Sequence, residues 1–134
     1  MKDIIQQLEM NVSMEDMPLM KDFVFSVAEK VGMSERRLQQ IRLAVEEAVD
    51  NIVHYSGATT LSLTATHQLR RLRITITDNG TPFNPLEMPP PELNLPGAQR
   101  KIGGLGIHFI RQMSDDVSYR REDEKNILTI TKIV

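Results

Sequence analysis

ITITDNGTPFNP, residues 74–85, changes character halfway through, and its reading decides the fold. Leu72, Ile74 and Ile76 alternate with polar residues, the period of a strand that buries one face. The alternation stops at Asp78-Asn79-Gly80, where Asn-Gly is a strong turn signal. Beyond it the chain is crowded with residues that resist regular structure. Six of the seven prolines fall between positions 82 and 96, and five of the seven glycines between 80 and 106. Proline lacks the amide donor and glycine resists a fixed conformation, so no regular element is expected from Thr81 to about Ile102. A loop of roughly 20 residues inside so small a domain is usually a functional lid or a disordered segment.

On both sides of this loop the periodicity is clear. Residues 4–12 read as a strand, with Leu8, Met10 and Val12 alternating. Residues 16–31 read as a helix carrying Met20, Phe23, Val24, Val27 and Val31 at helical spacing, and Gly32 suits its end. Ser34 is a plausible N-cap for a second helix, although Arg37 stands where a capping box would place Glu or Gln. That helix is predicted to reach about Tyr55, with Leu38, Ile41, Val45, Ala48 and Ile52 on its apolar face and Gly57 as its stop. Strands are expected over 59–66 and 69–77, a third helix over 105–113, and a final hairpin over 117–121 and 126–133. This order predicts an α+β fold: a two-layer α/β sandwich with helices on one face of a mixed, largely antiparallel sheet.

The chain has 134 residues, which predicts a single domain spanning 1–134. Its 16 basic and 18 acidic residues give a net charge of −2, against the basic excess of a general nucleic-acid binder. Cysteine is absent, which excludes disulfides, zinc–thiolate sites and thiol nucleophiles. No apolar run is long enough for a membrane span, and residues 1–10 lack an uninterrupted signal-peptide core. The expectation is a cytoplasmic protein with no membrane and no direct nucleic-acid partner.

Three clusters could carry chemistry. Glu47, Asn51 and His54 follow at spacings of four and three, which places them on one stripe of the second helix, opposite its apolar stripe. Asn and His are poor helix formers, and a carboxylate one turn from an amide oxygen suits activation of a hydroxyl beside a hard metal ion. Asp78 stands at a strand end, where it could accept from an amino group, with Gly80 allowing close backbone approach. Gly103-Gly104-Leu105-Gly106 opens the third helix, whose free amides favour phosphate. A Rossmann reading fails there because Phe109 occupies the third glycine position, and no P-loop pattern exists in the chain. His67 and His108 belong to no recognisable zinc set.

The three clusters together, in this order, resemble the Bergerat-fold (GHKL) ATPases. Glu47 to Asn51, with Ile52 to Tyr55, resembles the N box. Asp78-x-Gly80-x-Pro82-Phe83-Asn84-Pro85 resembles the G1 box of the small anti-sigma-factor serine/threonine kinases. Gly103-Gly104-Leu105-Gly106, with Ile107, Ile110, Arg111 and Gln112, resembles the G2 box of that branch. The resemblance covers residues 5–133.

By position, the resemblance implies that Glu47 is the general base and that Asn51 coordinates Mg2+ bridging the phosphates of ATP. Asp78 would accept from the adenine amino group, and Gly80, Pro82 and Phe83 would line the base pocket. Gly103, Gly104, Leu105 and Gly106 would bring backbone amides to the phosphates beneath an ATP lid at about 81–103. Arg100 and Lys101 stand slightly ahead of the glycines, and the resemblance does not choose which of them meets the γ-phosphate. It further implies a homodimeric kinase of a partner-switching pathway, phosphorylating a STAS-type anti-anti-sigma protein, with a sigma factor as a further candidate partner. The alternative is a nucleotide-gated protein-binding module with little or no phosphotransfer, which would not need the base Glu47.

Overall fold

A computed structural model describes residues 3–87 and 104–134; residues 88–103, with Arg100, Lys101, Gly103 and most of the expected lid, lie outside the described residues. The chain forms β1 (Asp3–Asn11), α1 (Met17–Lys30), α2 (Glu35–Asn51), β2 (Thr60–Gln68), β3 (Arg71–Asp78), α3 (Gly104–Met113), β4 (Asp116–Glu122) and β5 (Lys125–Ile133). The strands make one sheet in the order β1-β2-β3-β5-β4. Every pairing in it is antiparallel, as the largely antiparallel expectation required.

The alternation in β3 does what its period dictates. Leu72, Ile74 and Ile76 turn to the helices and are fully buried, while Arg71, Arg73, Thr75 and Thr77 take the other face. Across the ladder, Ile74 pairs with Ile130 and Ile76 with Leu128, and this apolar matching fixes the register. The helices supply the second layer. Phe23, Val24 and Val27 of α1 and Ile41, Ala44 and Val45 of α2 pack into the same core. Burying each of the larger side chains contributes about 1.5–3 kcal/mol. Ser34 caps α2, its Oγ accepting from the Arg37 amide at 3.3 Å. Helix α3 rests mainly on α2, so α2 is the element that every other helix touches.

One boundary differs in kind from the expectation. The second helix does reach Ser56, but its regular α-helical part ends at Asn51. Residues Ile52–Ser56 form a π-helical turn, which Gly57 closes in the left-handed region at φ 68°. The wider turn rotates the chain after Asn51, turning Ser56 inward until it is 1% exposed. The β4–β5 hairpin closes on Asp123 and Glu124, both with positive φ (52° and 62°), a backbone twist suited to a tight antiparallel turn. No described helix is long and apolar enough to cross a membrane.

Candidate nucleotide site

The end of α2, the end of β3 and the start of β5 meet at one point. Asp78 follows Ile76 on the helix-facing side of β3 and is therefore buried, 4% exposed. Its Oδ1 accepts from the Gly80 amide at 2.8 Å and from Asn126 Nδ2 at 3.0 Å. Among the described residues, Oδ2 receives no donor. Asn51 faces Asp78 from α2 across a small cavity that Ala48, Ile52, Phe83, Pro85, Asn126 and Leu128 also line. Apolar side chains make most of its wall, and the polar groups in it come from Asp78, Asn51, Asn126 and Tyr119.

Glu47 and Asn51 lie one helical turn apart yet face different spaces. Asn51 is buried, whereas Glu47 opens into a cleft of about 610 Å3 lined by Val12, Met17, Met20, Lys21 and Val53. Burial, and then the neighbouring Asp50 and Glu46 carboxylates, push the Glu47 carboxyl above the ordinary carboxylate value. Glu46 is itself engaged by Arg42 at 2.8 Å and Lys21 at 3.9 Å, and among the described residues no cation pairs with Glu47. A carboxylate raised in this way and left without a cation has the character of a proton acceptor.

The stripe expected from helical spacing is therefore split. Asn51 belongs to the buried side because it lies beside Ala48 on the flank of the apolar face. His54, beyond the turn in helix type, is exposed and places Nδ1 2.8 Å from the Asp50 carbonyl oxygen. Gly80 is placed by contact with the protein. A Cβ there would lie 2.4 Å from the Ser56 carbonyl oxygen, so only glycine lets β3's end pass the end of α2. The Thr81 amide then donates to that carbonyl at 2.8 Å. Phe83 stacks on Tyr55 with ring centroids 5.3 Å apart, and Pro82 is exposed beside it. Gly104, Leu105 and Gly106 form the first turn of α3, as the sequence led one to expect.

Asn126, Ser56 and Arg121 were not among the residues the sequence suggested. Arg121 Nη1 donates to the Gly80 carbonyl at 2.8 Å. Asn126 carried one readable signal: it precedes Leu128 and Ile130 in their alternation, so a polar side chain was due on the core face of β5.

The donor set fits an aminopurine nucleotide with magnesium. Asp78 brings a carboxylate acceptor to the recess, and Asn51 offers a hard oxygen. Among the described residues no group of three His, Asp or Glu side chains could hold a metal, so Asn51 would share Mg2+ with phosphate oxygens. The recess itself is nearly shut. Its volume is about 20 Å3, room for one water molecule, so a purine requires the recess to widen.

The family model for the histidine kinase-like ATPase domain matches residues 10–132. The chain belongs to that family. Within it, the chain is similar to the serine/threonine-protein kinase BtrW of Bordetella bronchiseptica, at 30% identity over 77% of this chain and 78% of that protein. Serine-protein kinase RsbW of Listeria innocua is 27% identical, over 81% of this chain and 73% of the relative. RsbW of Bacillus mycoides is 24% identical, over 100% of this chain and 89% of the relative. By family, then, the histidine kinase-like ATPase described here falls in the protein serine/threonine kinase branch. Histidine kinase AdeS of Acinetobacter baumannii shares the fold, with a TM-score of 0.53 at 15% identity over 96% of this chain and 67% of that one.

Proposed function

We propose that the chain is an ATP-dependent serine/threonine kinase of a partner-switching pathway. Its substrate would be a small STAS-type anti-anti-sigma protein, and a sigma factor would be its alternate partner. The observation that carries this reading is the division of labour at the end of α2. Asn51 faces the recess that holds Asp78, while Glu47, one turn back, faces an open cleft. A nucleotide whose base is held by Asp78 would run its phosphates past Asn51 to the open side, where an acceptor hydroxyl could meet both the γ-phosphate and Glu47, one turn back.

In this mechanism Asp78 would bind the base and Asn51 would hold magnesium, whose charge would offset that of the phosphates. Glu47 accepts the proton of the partner's Ser or Thr hydroxyl as that oxygen bonds to the γ-phosphorus and the bond to the β-phosphate oxygen breaks. The backbone amides at the start of α3 would meet phosphate oxygens. ATP would be required, and the kinase would work as a cytoplasmic homodimer. A binding module without phosphotransfer would leave the raised, cation-free Glu47 without a task.

ATP with Mg2+ at a hundred times its dissociation constant should stabilise the fold by about 2.7 kcal/mol, read as a rise in melting temperature. Asp78→Asn should abolish the rise. An unchanged wild-type melting curve at millimolar ATP would refute the reading.

A further inference from the structure

Asn126 is the cross-strand partner of Asp78 and is 4% exposed. Its Nδ2 donates to Asp78 Oδ1 at 3.0 Å and to the Thr81 carbonyl at 2.7 Å. Its Oδ1 accepts from the Phe83 amide at 3.1 Å, from Arg121 Nη1 at 3.1 Å and from the Tyr119 hydroxyl. Both amide hydrogens and the carbonyl oxygen are therefore engaged. A polar side chain on the apolar face of β5 breaks the pattern of Leu128 and Ile130, and such breaks concentrate at functional positions. A buried network satisfied this fully holds one geometry.

The consequence falls on Asp78. Two donors, the Gly80 amide and Asn126 Nδ2, converge on the same oxygen, Oδ1, and fix the carboxylate's rotation. Among the described residues the other oxygen receives no donor, and Asp78 lines the recess between α2 and β5. A fixed acceptor favours a ligand that presents an N–H there and repels one that presents a carbonyl oxygen.

We infer that Asn126 is the positioning residue that sets base selectivity: by locking the Asp78 carboxylate it makes the recess choose a purine with an exocyclic amine over one with a carbonyl at the same position. This rests on the nucleotide reading given above and adds the residue that enforces it. Without Asn126 the carboxylate gains freedom to rotate and to admit a water, and the discrimination weakens.

The test is equilibrium binding of Mg·ATP and Mg·ITP, whose bases differ by an amine against a carbonyl. It is run on the wild type, Asn126→Ala and Arg121→Met. The last variant loosens the same network but leaves both donors to Asp78 in place. The ratio of the two affinities is the readout, because loss of folded protein lowers both affinities together and leaves the ratio alone. The wild type should prefer ATP, Asn126→Ala should shrink that preference by about tenfold or more, and Arg121→Met should keep it. If Asn126→Ala weakens both nucleotides equally, or the wild type does not discriminate, the inference is overturned. If the wild type binds neither nucleotide, the nucleotide reading itself falls, an outcome distinct from an unchanged ratio.

Discussion

Asn51 donates its side-chain amide to the main-chain carbonyl of Glu47, 2.9 Å away and one turn back on the same helix. The bond uses one N–H of the side-chain amide on α2 itself, which fixes the amide's orientation and leaves Oδ1 available to a ligand. It also sets Asn51 relative to Glu47, the proposed base. Regular α-helix ends at that point, and the π-helical turn that follows carries Ser56 under Gly80.

Asn51→Ala removes that oxygen and should weaken nucleotide binding about tenfold or more when Mg2+ is present, with a much smaller effect in a chelator. Calorimetric titration with ATP in both buffers measures the difference. Equal losses with and without the metal would separate Asn51 from magnesium.

Glu47→Gln should change stability in a definite direction. Because the folded state holds the Glu47 carboxyl above its ordinary value, chiefly through burial, ionising it costs folding free energy. The protonated carboxyl carries no such cost, so stability is full below the ordinary carboxylate value and falls as pH rises through the raised one. The Gln variant lacks the cost and should melt above the wild type near neutral pH. The gap should close at about pH 4 and below, where the wild-type residue is protonated in both states. A variant that melts below the wild type at pH 7 would contradict the assignment.

Gly80→Ala places a methyl 2.4 Å from the Ser56 carbonyl oxygen and 2.7 Å from its Cβ. The backbone carbonyl cannot rotate away, since it also accepts from the Thr81 amide at 2.8 Å and from the Thr81 hydroxyl at 3.1 Å. The cost should be about 1–3 kcal/mol in urea unfolding. Ser56→Gly in the same background should return part of it by removing Oγ and Cβ. A fully stable Gly80→Ala would show that the two segments are not held this closely.

Much of this was legible from local pattern. The alternation of Leu72, Ile74 and Ile76 placed β3 and put Asp78 on its inner face, because period two carries through to the strand's end. Ser34 as a cap and Gly57 as a stop were readable because each works through its own backbone. The roles of Asn126 and Ser56 were not readable, because both depend on what lies across the sheet or beyond a turn. Asn126 meets Asp78 only because Ile130 pairs with Ile74 and Leu128 with Ile76. The split between Glu47 and Asn51 depended on tertiary packing: ideal spacing put them on one exposed stripe, but the space above Asp78 claimed Asn51.

The most direct measurement is transfer of radiolabelled phosphate from ATP to a STAS-domain protein encoded beside this chain, run together with equilibrium ATP binding for wild type and Glu47→Gln. The expected result is transfer to a Ser or Thr of the partner by the wild type. In the variant, transfer should fall by about 10²–10⁴-fold, the usual contribution of a positioned base, with ATP still bound. Transfer that survives Glu47→Gln intact, or a wild type that binds ATP and phosphorylates no such partner, would contradict it.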